Sequence, residues 1–358
     1  MFYREAGQFK TSYQADAAIF PIRQDRVALA AIALIAFVVV PLVATPYLFT
    51  GILIPFLILA LAAIGLNILT GYAGQLSLGT AAFMAVGAFA SYNFMLRVPG
   101  MPVLLAFVGG GVVAAAVGVV FGLPSLRIRG FYLAVATLAA QFFVLWCLSK
   151  VGWFSNYSSS GVITAQPIEI LGYVLRPEVS TYLLVLTIVV LMALAAKNMA
   201  RGNLGRKWMA VRDMDVAAEV IGIRMLHTKL SAFAISSFYC GIAGALYAYA
   251  YLGTVEPEAY SLDLSFRVLF MIIIGGVGTV LGSFLGSAFI TLLPIFLDRL
   301  VQFLDTTLGL HISQSASSNL ELIVFGGLIV FFLIVEPHGL ARLWQIAKEK
   351  LRLWPFPH

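Results

Sequence analysis

Charge is scarce in this sequence. Only 11% of its 358 residues are Asp, Glu, Lys or Arg, while 61% are hydrophobic; one buried core cannot absorb that surplus, so much of it must face lipid. Val27 to Leu96 contains no charged residue, a stretch long enough for several membrane crossings. Cysteine is nearly missing too. Cys147 and Cys240 both fall inside apolar runs, where they read as small packing residues and leave no disulfide framework.

Chemical equipment is equally thin. All 16 acidic residues sit in loops or at span ends, and His227, His311, His338 and His358 share no metal-ligand spacing. Hydroxyls within the spans have no His, Asp or Lys beside them to activate a nucleophile. The expectation is therefore a chain that is not an enzyme, with no catalytic residues, no metal and no cofactor. It also lacks a Gly-x-x-x-x-Gly-Lys-Ser/Thr loop, so ATP, if used, binds elsewhere. An ion-driven carrier needs ionisable groups at membrane depth, and none is visible; Na⁺ held by the carbonyls of a broken helix remains open. The net charge of +6 is scattered between apolar runs and makes no continuous face for nucleic acid.

What is present is one apolar run after another. A helix needs about 20 residues to cross roughly 30 Å of hydrocarbon. Ten runs are candidates: 27–48, 50–70, 76–96, 102–123, 130–149, 179–197, 230–251, 266–277, 279–297 and 321–336. They predict an all-α fold, a polytopic transmembrane helical bundle over 27–336, between an N-terminal segment 1–26 and a basic tail 337–358. Gly275, Gly276, Gly278 and Gly282 interrupt the run 266–297, which reads as a broken or re-entrant pair. No cleavage pattern follows the N-terminus, so the first span is expected to be retained.

Positive charge gives orientation. Of 22 Lys and Arg, 17 fall in 1–26, 127–129, 197–229 and 342–352, which predicts that these segments and both termini are cytoplasmic. The external segment 151–177, with Asn156, Ser158, Ser159 and Ser160, is either a landing place for a soluble partner or a plain solvated loop. Trp146 and Trp153 lie near span ends, where aromatic rings anchor at headgroup depth. Gly71 to Gly74 and Gly275 to Gly278 echo each other ahead of outgoing helices, as a parallel duplication would produce.

Two regions carry the candidate functional residues. Asn67, Thr70, Gln75 and Ser77 lie among Gly71, Gly74 and Gly79, and with Gly275, Gly276 and Gly278 they could line a path, since such backbone can bend and expose carbonyls. Close helix packing explains the same small residues equally well. Gln141, alone among apolar neighbours, reads as an interhelical hydrogen-bonding group. The segment 198–229 is the wettest internal stretch, and Trp208, Val211, Val216 and Val220 permit a short amphipathic helix ended by Gly222.

That segment, Gly205 to Ile223 (GRKWMAVRDMDVAAEVIGI), resembles the coupling segment of the permeases of branched-chain amino acid ABC importers. Ala217, Ala218 and Gly222 match its Ala-Ala-x-x-x-Gly core, while Val216 stands where an acidic residue is expected, with Asp215 and Glu219 beside it. Gly65 to Gly79 (GLNILTGYAGQLSLG) is similar to the most characteristic segment of that family. Leu126 to Leu138 (LRIRGFYLAVATL), Ala243 to Tyr247 (AGALY) and Gly275 to Gly282 (GGVGTVLG) extend the resemblance, the first of them towards the larger of two permease types. The resemblance implies a second permease, two cytoplasmic ATP-binding subunits and an extracytoplasmic solute-binding protein as partners, in the bilayer of a bacterial inner membrane. It implies that Arg206, Arg212, Asp215, Ala217, Ala218, Glu219 and Gly222 form the ATPase-coupling surface. The solute would be a branched-chain amino acid, urea, a short amide or an organic acid. A secondary carrier or a facilitative channel for small neutral solutes is the alternative.

Overall fold

A computed structural model describes Ser12 and residues 23–126, 130–158, 162–170, 173–174, 178–308, 323–324, 326–328, 330–332, 334 and 339–353. Most of segment 1–26, Arg127, Arg129, Ser159, Ser160, and much of the expected span 321–336 lie outside the described residues.

Among the described residues, seven helices are long and apolar enough to cross a membrane: α1 (Arg26–Val43), α2 (Leu48–Tyr72), α4 (Val103–Gly122), α5 (Tyr132–Lys150), α6 (Glu178–Arg201), α9 (Met225–Leu252) and α11, whose apolar part is Val280–Phe303. Between them lie α3 (Thr80–Arg97), the surface pair α7 (Asn203–Asp213) and α8 (Asp215–Val220), and α10 (Leu262–Gly275). The full α11 runs Val280–Leu308, and α12 (Gly339–Leu353) follows it. The chain is a multi-pass helical membrane bundle. Helices dominate because unpaired backbone groups cannot remain in hydrocarbon.

Burial ranks the helices. The apolar window of α2 is 78% buried, that of α9 67%, and that of α1 0%; with α3, buried along most of its length, α2 and α9 form the centre and α1 lies at the periphery. α9 packs on α2, α3 and α4, while α11 packs on α2 and α10. Lipid-facing side chains account for the many exposed large apolar residues, such as Phe142, Phe143 and Trp146 on α5. Trp153 does not simply anchor: the Arg97 guanidinium lies 3.9 Å over its ring and donates to its carbonyl at 2.9 Å.

The structure amends three expectations and bears out the break read at 266–297. The span expected at 76–96 begins only at Thr80, because residues 73–79 are not helical. The interrupted run 266–297 resolves into α10 and α11, an antiparallel hairpin with Gly275 backed against Gly282. α10 has 14 residues, about 21 Å at 1.5 Å per residue, short of a full crossing. The segment 151–177 is not all loop: Ile163–Thr164 pairs antiparallel with Thr254–Val255, and Glu169–Ile170 with Tyr173–Val174. Finally, the single helix expected after Lys207 is two. Met214 is extended (φ −159°, ψ 92°) and separates α7 from α8, which resets the helical phase. Trp208 and Val211 remain buried, but Ala218 faces the protein in place of Val216 and Val220.

Candidate translocation and coupling site

The polar residues of 67–80 gather where α2 ends. Asn67 is buried, and its side chain bridges α2 to the turn between α10 and α11. Its Nδ2 donates to the Thr279 carbonyl at 2.8 Å and to Ser283 Oγ at 3.0 Å, while its Oδ1 accepts from the Gly278 amide at 2.7 Å. Gly71 fits only as glycine, since a Cβ there would overlap Asn67 Oδ1 and the Gly278 backbone. The expected path residues Asn67, Gly71 and Gly278 are thus brought together across about 200 residues of sequence, and their immediate role is to lock two helix breaks to each other.

Beyond Tyr72 the chain runs without helix to Thr80, through Gly74 in the left-handed region (φ 67°). Thr70 Oγ1 donates to the Gln75 carbonyl at 3.2 Å, and Thr137 Oγ1 on α5 accepts from the Leu78 amide at 2.9 Å. Ser77 is buried and its Oγ accepts from the Gly79 amide at 3.3 Å. The start of α3 is capped from two other helices: the Ala81 amide donates to Ser265 Oγ at 2.9 Å and the Ala82 amide to Gln141 Oε1 at 2.7 Å. Gln141 Nε2 donates in turn to the Tyr260 carbonyl at 2.8 Å, which makes it the interhelical group expected from its setting. Burial pushes the Tyr260 hydroxyl well above its ordinary pKa, so it stays protonated and donates to the Gly244 carbonyl at 2.9 Å.

Two buried groups in this region are unsatisfied. Both amide atoms of Gln75 and the hydroxyl of Thr80 lack hydrogen-bond partners among the described residues. Such groups cost roughly 1–3 kcal/mol each when unmade, so a position that keeps them invites a polar visitor. Sequence reasoning had Gln75 but missed Thr80, Thr137 and Ser265, which are ordinary span hydroxyls until the fold sets them around one non-helical segment.

The same end of the bundle carries α7 and α8. Trp208 is buried and its Nε1 donates to Ser231 Oγ on α9 at 3.0 Å. Arg212 Nη1 donates to the Gly71 carbonyl at 2.8 Å, and its Nε to Asp213 Oδ1 at 2.9 Å. An open cavity of about 340 Å³ lies here, lined among others by Gln75, Arg212, Asp215 and Lys229. α8 ends as its sequence predicts: Gly222 is left-handed (φ 88°), with Gly222 N–H donating to Glu219 O and Ile223 N–H to Ala218 O, each at 2.9 Å. That is the glycine exit that satisfies a helix's last carbonyls. Met214, Val216, Val220 and Ile221 are left 64–83% exposed, with Arg206, Ala217 and Glu219 also at the surface.

A bundle of apolar membrane helices whose polar groups collect at helix breaks, tied to a charged surface segment, is the architecture of a solute permease. The chain belongs to the family described as "Branched-chain amino acid transport system / permease component", which matches residues 48–333. It is similar to the high-affinity branched-chain amino acid transport system permease protein LivM of Salmonella typhimurium, 27% identical over 313 residues, 79% of this chain and 68% of that protein. LivM of Escherichia coli is 28% identical over 306 residues with the same shares. The autoinducer 2 import system permease protein LsrC of an Enterobacter species is 26% identical over 216 residues, 58% of each chain. No solved structure matches the chain.

Proposed function

We propose that this chain is one of two transmembrane subunits of an ATP-driven importer in a bacterial inner membrane, with branched-chain amino acids as the first candidate solutes. The names of the LivM relatives support that solute class, and urea, short amides and organic acids are its alternatives. In this reading both termini and α7–α8 are cytoplasmic, two ATP-binding subunits dock on α7–α8, and a solute-binding protein delivers from the side of 151–177. The chain itself catalyses nothing; hydrolysis belongs to the partners.

One observation carries the reading. Met214, Val216, Val220 and Ile221 form an exposed apolar surface on a short helix flanked by Asp213, Asp215, Glu219 and Arg224. A large apolar surface rimmed by charge marks a protein interface more readily than a lipid contact. Beside it, the non-helical segment 73–79 and the unsatisfied Gln75 and Thr80 leave buried polar groups at a helix break, where a polar solute can meet them.

Affinity purification of the tagged chain from its own membranes tests this. A second permease and a pair of ATPase subunits should co-purify in stoichiometric amounts. A chain that purifies alone, or only with copies of itself, would overturn the reading.

A further inference from the structure

We propose that Arg212 is a latch: the positioning residue through which the ATPase-facing segment α7–α8 holds the end of α2 and the α10–α11 turn in one conformational state. The inference rests on the proposed docking of ATPases at α7–α8.

Its geometry is a chain of three links. Arg212 stands in the last turn of α7, and its Nη1 reaches the Gly71 carbonyl at 2.8 Å. That carbonyl belongs to the final turn of α2, where carbonyls lack intrahelical partners and the helix presents its negative end, so a cation is favoured there. Gly71 is wedged against Gly278, and Asn67 ties the turn 278–279 to α2 through the bonds at 2.7 and 2.8 Å. A shift of the guanidinium therefore meets both helix breaks at once.

Two further features make Arg212 a fitted part. Asp213 Oδ1 accepts from Arg212 Nε at 2.9 Å, and Gly74 leaves room for the arginine stem, since a Cβ there would lie 2.7 Å from Arg212 Cγ. Meanwhile α7 has its own anchor, the buried Trp208 bonded to Ser231. α7 does not need Arg212 to stay in place, so the bond to Gly71 is available to make and break as α8 moves about the extended Met214. A hydrogen bond from a charged donor biases such a two-state equilibrium about tenfold to a hundredfold.

The test uses the complete complex in proteoliposomes and compares wild type with Arg212→Gln, Arg212→Lys and Lys350→Ala, the last an exposed cation on α12, away from α7–α8. Arg212→Gln should assemble and melt as wild type does. Its solute-independent ATP hydrolysis should rise, and its ratio of solute-stimulated to basal hydrolysis should fall about tenfold. Arg212→Lys, which keeps the charge, should recover part of the ratio, and Lys350→Ala should leave it unchanged. If Arg212→Gln keeps the wild-type ratio, or Lys350→Ala loses as much, the latch is wrong while the importer reading stands. If the wild-type complex shows no coupling of ATP to uptake, the importer reading itself fails. A second measurement needs no assembly: amide hydrogen exchange of residues 73–76 in the detergent-solubilised chain should speed up in Arg212→Gln and not in Lys350→Ala. Unchanged exchange would also overturn the latch.

Discussion

Replacing Gly222 with proline should detach the ATPases while leaving the membrane bundle folded. The residue sits at φ 88°, whereas a proline ring fixes φ near −65° and removes the amide hydrogen. Two bonds that close α8 would go, Gly222 N–H to Glu219 O and Ile223 N–H to Ala218 O, each 2.9 Å long. At about 0.5–1.5 kcal/mol apiece their loss costs roughly 1–3 kcal/mol. α8 has only 6 residues, too few to hold a helix without its exit and its packing. The apolar surface of Met214, Val216, Val220 and Ile221 would then lose its shape. If the cost falls on docking, ATPase affinity drops about fivefold to 150-fold. Gly222→Ala gives the graded control, because an added Cβ meets nothing within 4 Å and only the left-handed backbone costs, about 1–2 kcal/mol. Hydrolysis by the reconstituted complex, titrated with ATPase subunits, should rank Gly above Ala above Pro, with equal membrane insertion. A proline variant that binds ATPases as tightly as wild type would refute the coupling role of α8.

Three other outcomes follow from the same geometry. Asn67→Leu leaves the Gly278 amide and the Thr279 carbonyl without their buried partner, so the melting temperature in detergent should fall by an amount matching roughly 2–5 kcal/mol; an unchanged midpoint would show that the two helix breaks are not locked. Gly71→Ala forces a Cβ into Asn67 Oδ1 and the Gly278 backbone, whereas Gly327→Ala meets nothing within 4 Å and sits on ordinary helical backbone; folded yield measured by fluorescence-detected chromatography should collapse for the first and hold for the second. Cysteine labelling in intact cells, after Cys147 and Cys240 are replaced, should reach position 158 from outside and position 213 only after permeabilisation; the reverse pattern would invert the proposed topology.

Much of the bundle was legible because the membrane imposes a local rule: each span must be apolar for about 20 residues and satisfy its own backbone. Glycines at 275–282 likewise announced a break, and Gly222 announced the end of α8. The break at Met214 was not legible, since nothing in its own neighbourhood forbids a continuous helix. It arises from tertiary packing that buries Trp208 and Ala218 on different segments. The contact from Arg212 to the Gly71 carbonyl spans 141 residues, and the capping of α3 by Gln141 and Ser265 joins three helices. Periodicity within one segment holds no trace of such pairings. The end of the stretch 73–79 reads as part of the next span for a similar reason: Leu76 and Leu78 join the apolar run that follows, while the conformation of the stretch is set by Thr137 on α5 and by Gly74.

ATP-driven uptake by the purified complex is the most direct test of the central claim. Proteoliposomes holding this chain, the second permease and the ATPase pair should accumulate a labelled branched-chain amino acid when ATP and the loaded binding protein are supplied. Accumulation should persist with ionophores that abolish proton and sodium gradients, and stop when ATP is withheld. Uptake that continues without ATP, or that ends with the ion gradients, would contradict the account and point to a carrier or channel.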